Sequence, residues 1–278
     1  MPYVSALYCY PVKSCRGVAL TEAVLDHRGL LRDRAFMVVD AQNRHMTQRA
    51  TPAMARITTA IAADALHLGI TDNDPSLHIP WTAPDRPRRM VTVWRDTVLA
   101  GDAGDEAAAW LSDVLGQPCR LVAMGDESRR DVPAARLPEH HRATLTQPVP
   151  VAFSDAFPLL VVSEESVADL NQRVGGSPFL EMDRFRPNLV VTGCDAPYAE
   201  DTWKTYRVGD ARLFSAGPCS RCAITTTDQQ TLARGPEPLR TLATYRRTSD
   251  GDVVFGQNVI HASPGARLRV GDKIVLEA

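Results

Sequence analysis

The sequence predicts a mainly β protein with some α, divided into two subdomains, and three observations carry that prediction. Short apolar runs recur along most of the 278 residues and are broken by Gly, Pro and Asn/Asp turns. Convincing helix signals are confined to two segments, near residues 105–115 and 163–175. Between them, residues 126–150 (DESRRDVPAARLPEHHRATLTQPVP) form a polar Arg- and Pro-rich stretch without periodicity, longer than a usual connection inside a domain. The division is therefore expected there, giving 1–125 and 126–278.

Each element follows in order. From Val4 to about Val39 the chain reads as strands and turns, with Gly17 and Gly29 as breakers and AFMVVD as a buried strand. The runs ARITTAIA, ALHLGI and MVTVWRDTVLAGD, separated by TDNDPS and TAPDRPRR, predict antiparallel sheet. DEAAAWLSDVL is a helix by its acidic start, its alanines and the Gly116 stop. FPLLVVS is a buried strand, and Ser163 then caps a helix whose apolar stripe is Val167, Leu170 and Val174 and whose stop is Gly175. FRPNLVVTG, ARLFSA, CAITTTD, DVVFGQNVIH and ARLRVGDKIVLEA are short strand candidates in the pattern of a barrel.

Composition narrows the function classes. A formal net charge of -2 gives no overall field for nucleic acid or an anionic membrane. Six cysteines without regular spacing in a chain this long imply reduced thiols rather than a disulfide scaffold. The N-terminus lacks the basic start and apolar run of a secretory signal, and no run approaches the roughly 18 apolar residues of a membrane span. The expected protein is cytoplasmic and not membrane-inserted.

The segment GPCSRC places Cys219 and Cys222 between ARLFSA and CAITTTD. A structural zinc site lacks its second half, because no cysteine follows Cys222 and the next histidine is His261. A thioredoxin-like pair would open a helix, whereas CAITTTD is β-branched and reads as strand. Taken alone, the pair fits two buried thiols best.

Its companions change that weighting. YPVKSCRG, LRDRAFMVVD, MTQR, FRPNLVV, GPCSRCAITTTD and FGQNV occur in an order and spacing that resemble the MOSC proteins carrying an N-terminal MOSC β-barrel, the group that contains the mitochondrial amidoxime-reducing component. The resemblance runs from about Tyr10 to the C-terminus. It implies an N-terminal β-barrel-like subdomain followed by a C-terminal MOSC β-barrel with a few helices, and a pocket shared by both.

By that resemblance Cys222 is the thiolate that ligates molybdenum in a molybdenum cofactor (Mo-molybdopterin). A soft thiolate suits a metal held mainly by sulfur, and a single protein ligand leaves positions open. Lys13, Ser14 and Arg34 match the residues that hold the anionic part of the pterin, a role for which an ammonium, a hydroxyl and a guanidinium are suited. Arg186 and Asn188 of FRPN match further cofactor contacts, Ser220 and Arg221 lie beside Cys222 where their donors reach the cofactor by position, and Ser154 and Asn258 are cofactor-contact candidates in segments that depart from the family. Two departures stand out: Ala156 and Phe157 follow Asp155 where the mitochondrial relatives have Thr-Ser, and Asn258 stands where they have tyrosine. Asp155 and Asp195 are candidate proton carriers without a demonstrated distance to Cys222.

The implied activity is a molybdenum-dependent two-electron reduction of N-hydroxylated compounds: hydroxylamines, amidoximes or N-hydroxylated bases. The alternatives are a persulfide (sulfur) transferase using Cys222, or a carrier of the pterin cofactor. No cysteine follows Cys222 to build an iron–sulfur cluster, so a separate electron-transfer partner is expected, a ferredoxin, flavoprotein or small haem protein. Arg129, Arg130 and Arg136 are read as solvated loop residues.

Overall fold

The computed structural model describes residues 1–71, 74–138 and 148–277. Strand dominates it, with helices α1 (Asp105–Leu115), α2 (Glu164–Val174) and the single turn α3 (Leu239–Leu242) among the described residues. Both predicted helices form for the expected reasons. Gly116 and Gly175 end them in the left-handed conformation, and Ser163 Oγ accepts from the Ser166 backbone N–H at the start of α2.

The largest sheet has eight strands in the order Ile274–Glu277, Thr205–Val208, Ala211–Ser220, Val254–His261, Leu159–Ser163, Leu189–Thr192, Tyr3–Cys9 and Val18–Leu20. The first strand of the chain thus pairs antiparallel with Leu189–Thr192. Leu159–Ser163 and Leu189–Thr192 are parallel, as a strand–helix–strand crossover through α2 requires. A four-stranded sheet orders Phe36–Asp40, Cys119–Met124, Asp96–Asp102 and Arg88–Val93, and a three-stranded one orders Thr58–Ile61, Ala65–Thr71 and Asp74–Pro80. A last sheet joins Arg267–Arg269 to Glu22–Asp26 and Gly29–Leu30, again linking the two ends of the sequence. The architecture is mainly β with a minority of α, in curled sheets of barrel-like character.

Of the five buried apolar clusters among the described residues, the two largest lie within these layers. Leu7, Leu25, Val191, Tyr206, Leu213 and Leu268 fill one around the eight-stranded sheet. Phe36, Leu66, Leu111 and Leu121 fill the other under α1.

Several local readings need correction. CAITTTD is not a strand: Ala223–Thr226 is a 3-10 turn, because the Thr225 and Thr226 hydroxyls donate to the carbonyls of Cys222 (3.0 Å) and Ala223 (2.8 Å) three residues back. The strand expected to end at Ala216 continues through GPCS to Ser220, with register shifts at Ser215/Gly217 and Pro218/Ser220 that bend it without ending it. In TDNDPS, residues 72–73 lie outside the described residues, and Asp74 onward is already strand. Thr205–Val208 and Cys119–Met124 are strands that the pattern did not isolate. Of the long polar connection, residues 139–147 lie outside the described residues. Its ends close on each other, with Val132 N–H donating to Val149 O (2.8 Å) and Val151 N–H to Arg130 O (2.9 Å).

Candidate functional site

One cavity of about 600 Å³ gathers the ten residues expected to bind the metal or the cofactor: Lys13, Ser14, Arg34, Ser154, Arg186, Asn188, Ser220, Arg221, Cys222 and Asn258. They come from segments as far apart as the first turn and the last long strand, and the fold brings them together as follows.

Lys13 and Ser14 sit where YPVKS leaves the first strand. The Lys13 backbone N–H donates to Phe36 O (2.9 Å), which ties the turn to the buried strand AFMVVD. The Lys13 side chain is 4% exposed; its ammonium donates to Phe153 O (2.9 Å) and pairs with Asp155. Burial pushes the Lys13 pKa down, and the Asp155 carboxylate offsets part of that shift. The protein packed around Asp155 acts in the opposite sense, although its side chain keeps access to solvent, but Lys13 and the Trp94 indole N–H outweigh it and hold that carboxyl well below its usual range.

Arg34 and Arg186 share a platform, the buried Tyr10 ring, with their guanidinium carbons 4.4 and 4.3 Å from its centroid. A Cβ at Gly17 would lie 2.5 Å from that ring, so the glycine of YPVKSCRG is what lets Tyr10 occupy its place. Arg34 also pairs with the buried Asp33, whose other oxygen accepts from Tyr10 N–H (2.8 Å). Arg186 meets no protein acceptor among the described residues. Asn188 is fully engaged in structure: its Oδ1 accepts from Arg34 (3.2 Å) and from Leu160 N–H (3.2 Å), and its Nδ2 donates to Tyr8 O (3.1 Å).

Cys222 is half-buried and precedes the 3-10 turn. Arg221 donates to Cys219 Sγ (3.0 Å) and Phe185 O (2.7 Å), and Ser220 Oγ donates to Asp252 (2.7 Å). The remaining hydrogen-bonded wall is Asn258, which donates to Pro218 O (3.1 Å) from the strand Val254–His261. In its FGQN motif Gly256 adopts φ +73, and a Cβ there would lie 2.8 Å from Val161 O. By contrast Cys15 lies in the core, where burial pushes its thiol up to about 12 and leaves it inert.

The electrostatics are one-sided. Lys13, Arg34, Arg136, Arg186 and Arg221 line the cavity against the carboxylates of Asp155 and Asp252, although the whole chain is slightly acidic. Ser154 Oγ and Arg221 Nε are buried with no hydrogen-bond partner. Ser14, Arg34, Trp94 and Arg186, four of the eight non-glycine residues with positive φ among the described residues, line this cavity with values of 67, 48, 56 and 55°.

Sequence reasoning missed several residues here. Arg130 is not a solvated loop residue: it is 8% exposed and clamps the loop that carries Ser154 and Asp155, donating to Ala152 O (3.0 Å), Ser154 O, Asp155 O (3.1 Å) and Asp96 (2.6 Å). Its place in a polar stretch hid it, because composition does not show which arginine turns inward. Arg136 also lines the cavity. Gln48 of MTQR donates to Ser14 O (2.8 Å) and pairs with Gln229, tying the YPVKS turn to the segment after Cys222. Asp195 is exposed outside the cavity, whereas Asp155 lines it.

The MOSC N-terminal beta barrel domain model matches residues 1–118, and the MOSC domain model matches residues 148–275. Mitochondrial amidoxime-reducing component 1 of Mus musculus is 34% identical over 98% of this chain and 82% of its own length. The chain belongs to the MOSC family. Among further MOSC relatives, the molybdenum cofactor sulfurase of Danio rerio is 31% identical over 92% of this chain but only 32% of that longer protein. The YuaD protein of Bacillus subtilis aligns over 99% of this chain and 94% of its own at 11% identity with a TM-score of 0.41, too loose a likeness to add to the assignment. Of these relatives, one is named for amidoxime reduction and the other for the molybdenum cofactor. No helix among the described residues is long and apolar enough to cross a membrane.

Proposed function

We propose that the cavity binds a molybdenum cofactor through Cys222 and that the protein reduces N-hydroxylated compounds with electrons from a separate donor. The observation that carries this reading is the pairing of a half-buried thiol with five cationic side chains in one wall. Among the described residues no three His, Cys, Asp or Glu side chains gather to hold a metal unaided, so a metal on Cys222 takes its other ligands from its cofactor. The donor set fits a group that is anionic at one end and thiolate-bound at the other. Lys13, Arg34 and Arg186 would hold the anionic end, with Ser14 and Ser154 supplying hydroxyls, while Ser220, Arg221 and Asn258 would flank the metal end.

When bound, the cofactor would supply the two-electron reduction that cleaves an N–O bond. The chain's own contribution is orientation. Tyr10 stacks both arginines, Asn188 fixes Arg34, Gln48 and Gln229 brace Ser14, and Arg130 fixes the loop that meets Lys13. Division into residues 1–125 and 126–278 puts Lys13 and Arg34 on one side and Cys222 on the other, so cofactor binding would join both.

The test is molybdenum per chain after expression in a host that makes the cofactor. About one equivalent, lost in Cys222→Ala, supports the reading; a folded, metal-free protein removes it. A second reading, sulfur transfer from a Cys222 persulfide, is favoured by the sulfurase relative, and cyanide-labile sulfur in place of molybdenum would select it.

A further inference from the structure

Among the described residues the cavity has two carboxylates, Asp155 and Asp252, and they are not equivalent. Asp155 is committed to Lys13 and Trp94. Asp252 forms no ion pair among the described residues; its one side-chain partner is the Ser220 hydroxyl at 2.7 Å. It stands at the Cys222 end of the site, since Arg221 N–H donates to Val253 O (2.7 Å) and Ser220 pairs with Val254. The nearby cations are directed elsewhere: Arg221 to Cys219 Sγ and Phe185 O, and Arg247 to Gly251 O (3.0 Å). Asp252 is exposed, so solvent weakens its charge without cancelling it, and with no protein cation paired to it among the described residues its useful partner is a cation at the reacting end.

We propose that Asp252 is a specificity-determining residue that favours substrates whose reduction creates a positive charge. The inference rests on the reductase reading above. Reduction of a neutral amidoxime, RC(NH2)=NOH, takes two electrons and three protons: the N–O bond breaks, oxygen leaves as water, and the third proton makes the amidinium cation RC(NH2)2+. The electrons come from the external donor. A carboxylate fixed beside the nitrogen as charge develops stabilises that change more than it stabilises the neutral substrate. Reduction of an N-hydroxysulfonamide takes two electrons and two protons and yields a neutral sulfonamide, so Asp252 gives it no such advantage.

The experiment uses cofactor-loaded protein with a reduced viologen dye as electron source, comparing wild type, Asp252→Asn and Asp252→Glu. With benzamidoxime, Asp252→Asn should lower kcat/KM on the order of tenfold, as expected for one partly screened charge, while Asp252→Glu retains most of it. With N-hydroxybenzenesulfonamide all three should agree within about twofold, at equal molybdenum per chain. Calorimetric titration with benzamidine, the cationic product, should show weaker binding to Asp252→Asn, and titration with neutral benzamide no difference. Equal losses on both substrates, or unchanged benzamidine binding, would overturn the assignment. If loaded wild type reduced neither substrate, the reductase reading would fall, and the benzamidine titration would still decide whether Asp252 is a cation site.

Discussion

Replacing Arg130 by methionine isolates the clamp on the Ser154–Asp155 loop. Methionine fills much of the arginine's volume but donates nothing, so four acceptors lose their partner: Asp96 and the carbonyls of Ala152, Ser154 and Asp155. Asp96 is half exposed and Asp155 exposed, and both regain water. Ala152 and Ser154 are 3% and 5% exposed, and their carbonyls do not. At roughly 1–3 kcal/mol for each buried acceptor left unmade, the expected loss is about 4 kcal/mol. Against a typical domain stability of about 5–15 kcal/mol this is large, and a urea titration reads it as a lower midpoint at unchanged slope. Phe153 O and Asp155, the partners of Lys13, lie in the same loop, so molybdenum per chain should fall in protein that remains folded at low temperature. A loss under about 1 kcal/mol would show that the loop holds its shape without the clamp, and the reasoning would be wrong.

Cys222→Ser should unfold within about 1 kcal/mol of wild type, because among the described residues the only hydrogen bonds to Cys222 are to its carbonyl; a large loss by denaturant titration would mean the thiol is structural. His261 is buried enough that its pKa falls to about 4, and its Nδ1 accepts from Ser263 N–H, so it folds neutral. Between pH about 6.5 and 4 the unfolded chain binds this proton and the folded one does not, so stability should drop by roughly 3 kcal/mol as the pH is lowered through that window, and His261→Gln should flatten the slope. Arg186→Gly removes a strained positive φ together with the stacking on Tyr10; these oppose each other, so stability should stay within about 1 kcal/mol while molybdenum binding drops, as elemental analysis would show.

What was legible in the sequence was chemistry carried by short motifs. Lys13, Arg34, Arg186 and Cys222 each sit in a motif whose neighbours also shape the wall: Gly17 clears room for Tyr10, and Gly256 lets one strand approach another. Helix ends were legible because Ser163, Gly116 and Gly175 act within a few residues of themselves. Long-range choices were not. That Tyr3–Cys9 would pair with Leu189–Thr192 depends on two strands some 180 residues apart, and nothing local to either encodes the partner. CAITTTD misled because threonine is a strand former by average environment, while here two of its hydroxyls bond back into a turn. Arg130 and Asp252 were invisible for a related reason: charged residues in polar segments look alike until the fold turns one inward and leaves another without a partner.

The strained backbone joins these facts. Ser14, Arg34, Trp94 and Arg186 lie on four separate segments, yet all hold left-handed φ values and all line one cavity. Such conformations cost on the order of 1–3 kcal/mol each and persist where surrounding contacts over-determine them. Those contacts are visible: Gln48 on the Ser14 carbonyl, Asp33 and Asn188 on Arg34, Asp155 on the Trp94 indole, and the Tyr10 ring under Arg186. Bringing several cations into one wall is unfavourable in itself, because they repel one another and lose water. A fold that holds them there by strained turns and dedicated braces stores free energy that an anionic ligand would release. Under the proposed cofactor reading, these braces would keep Lys13, Arg34 and Arg186 aimed inward before anything binds.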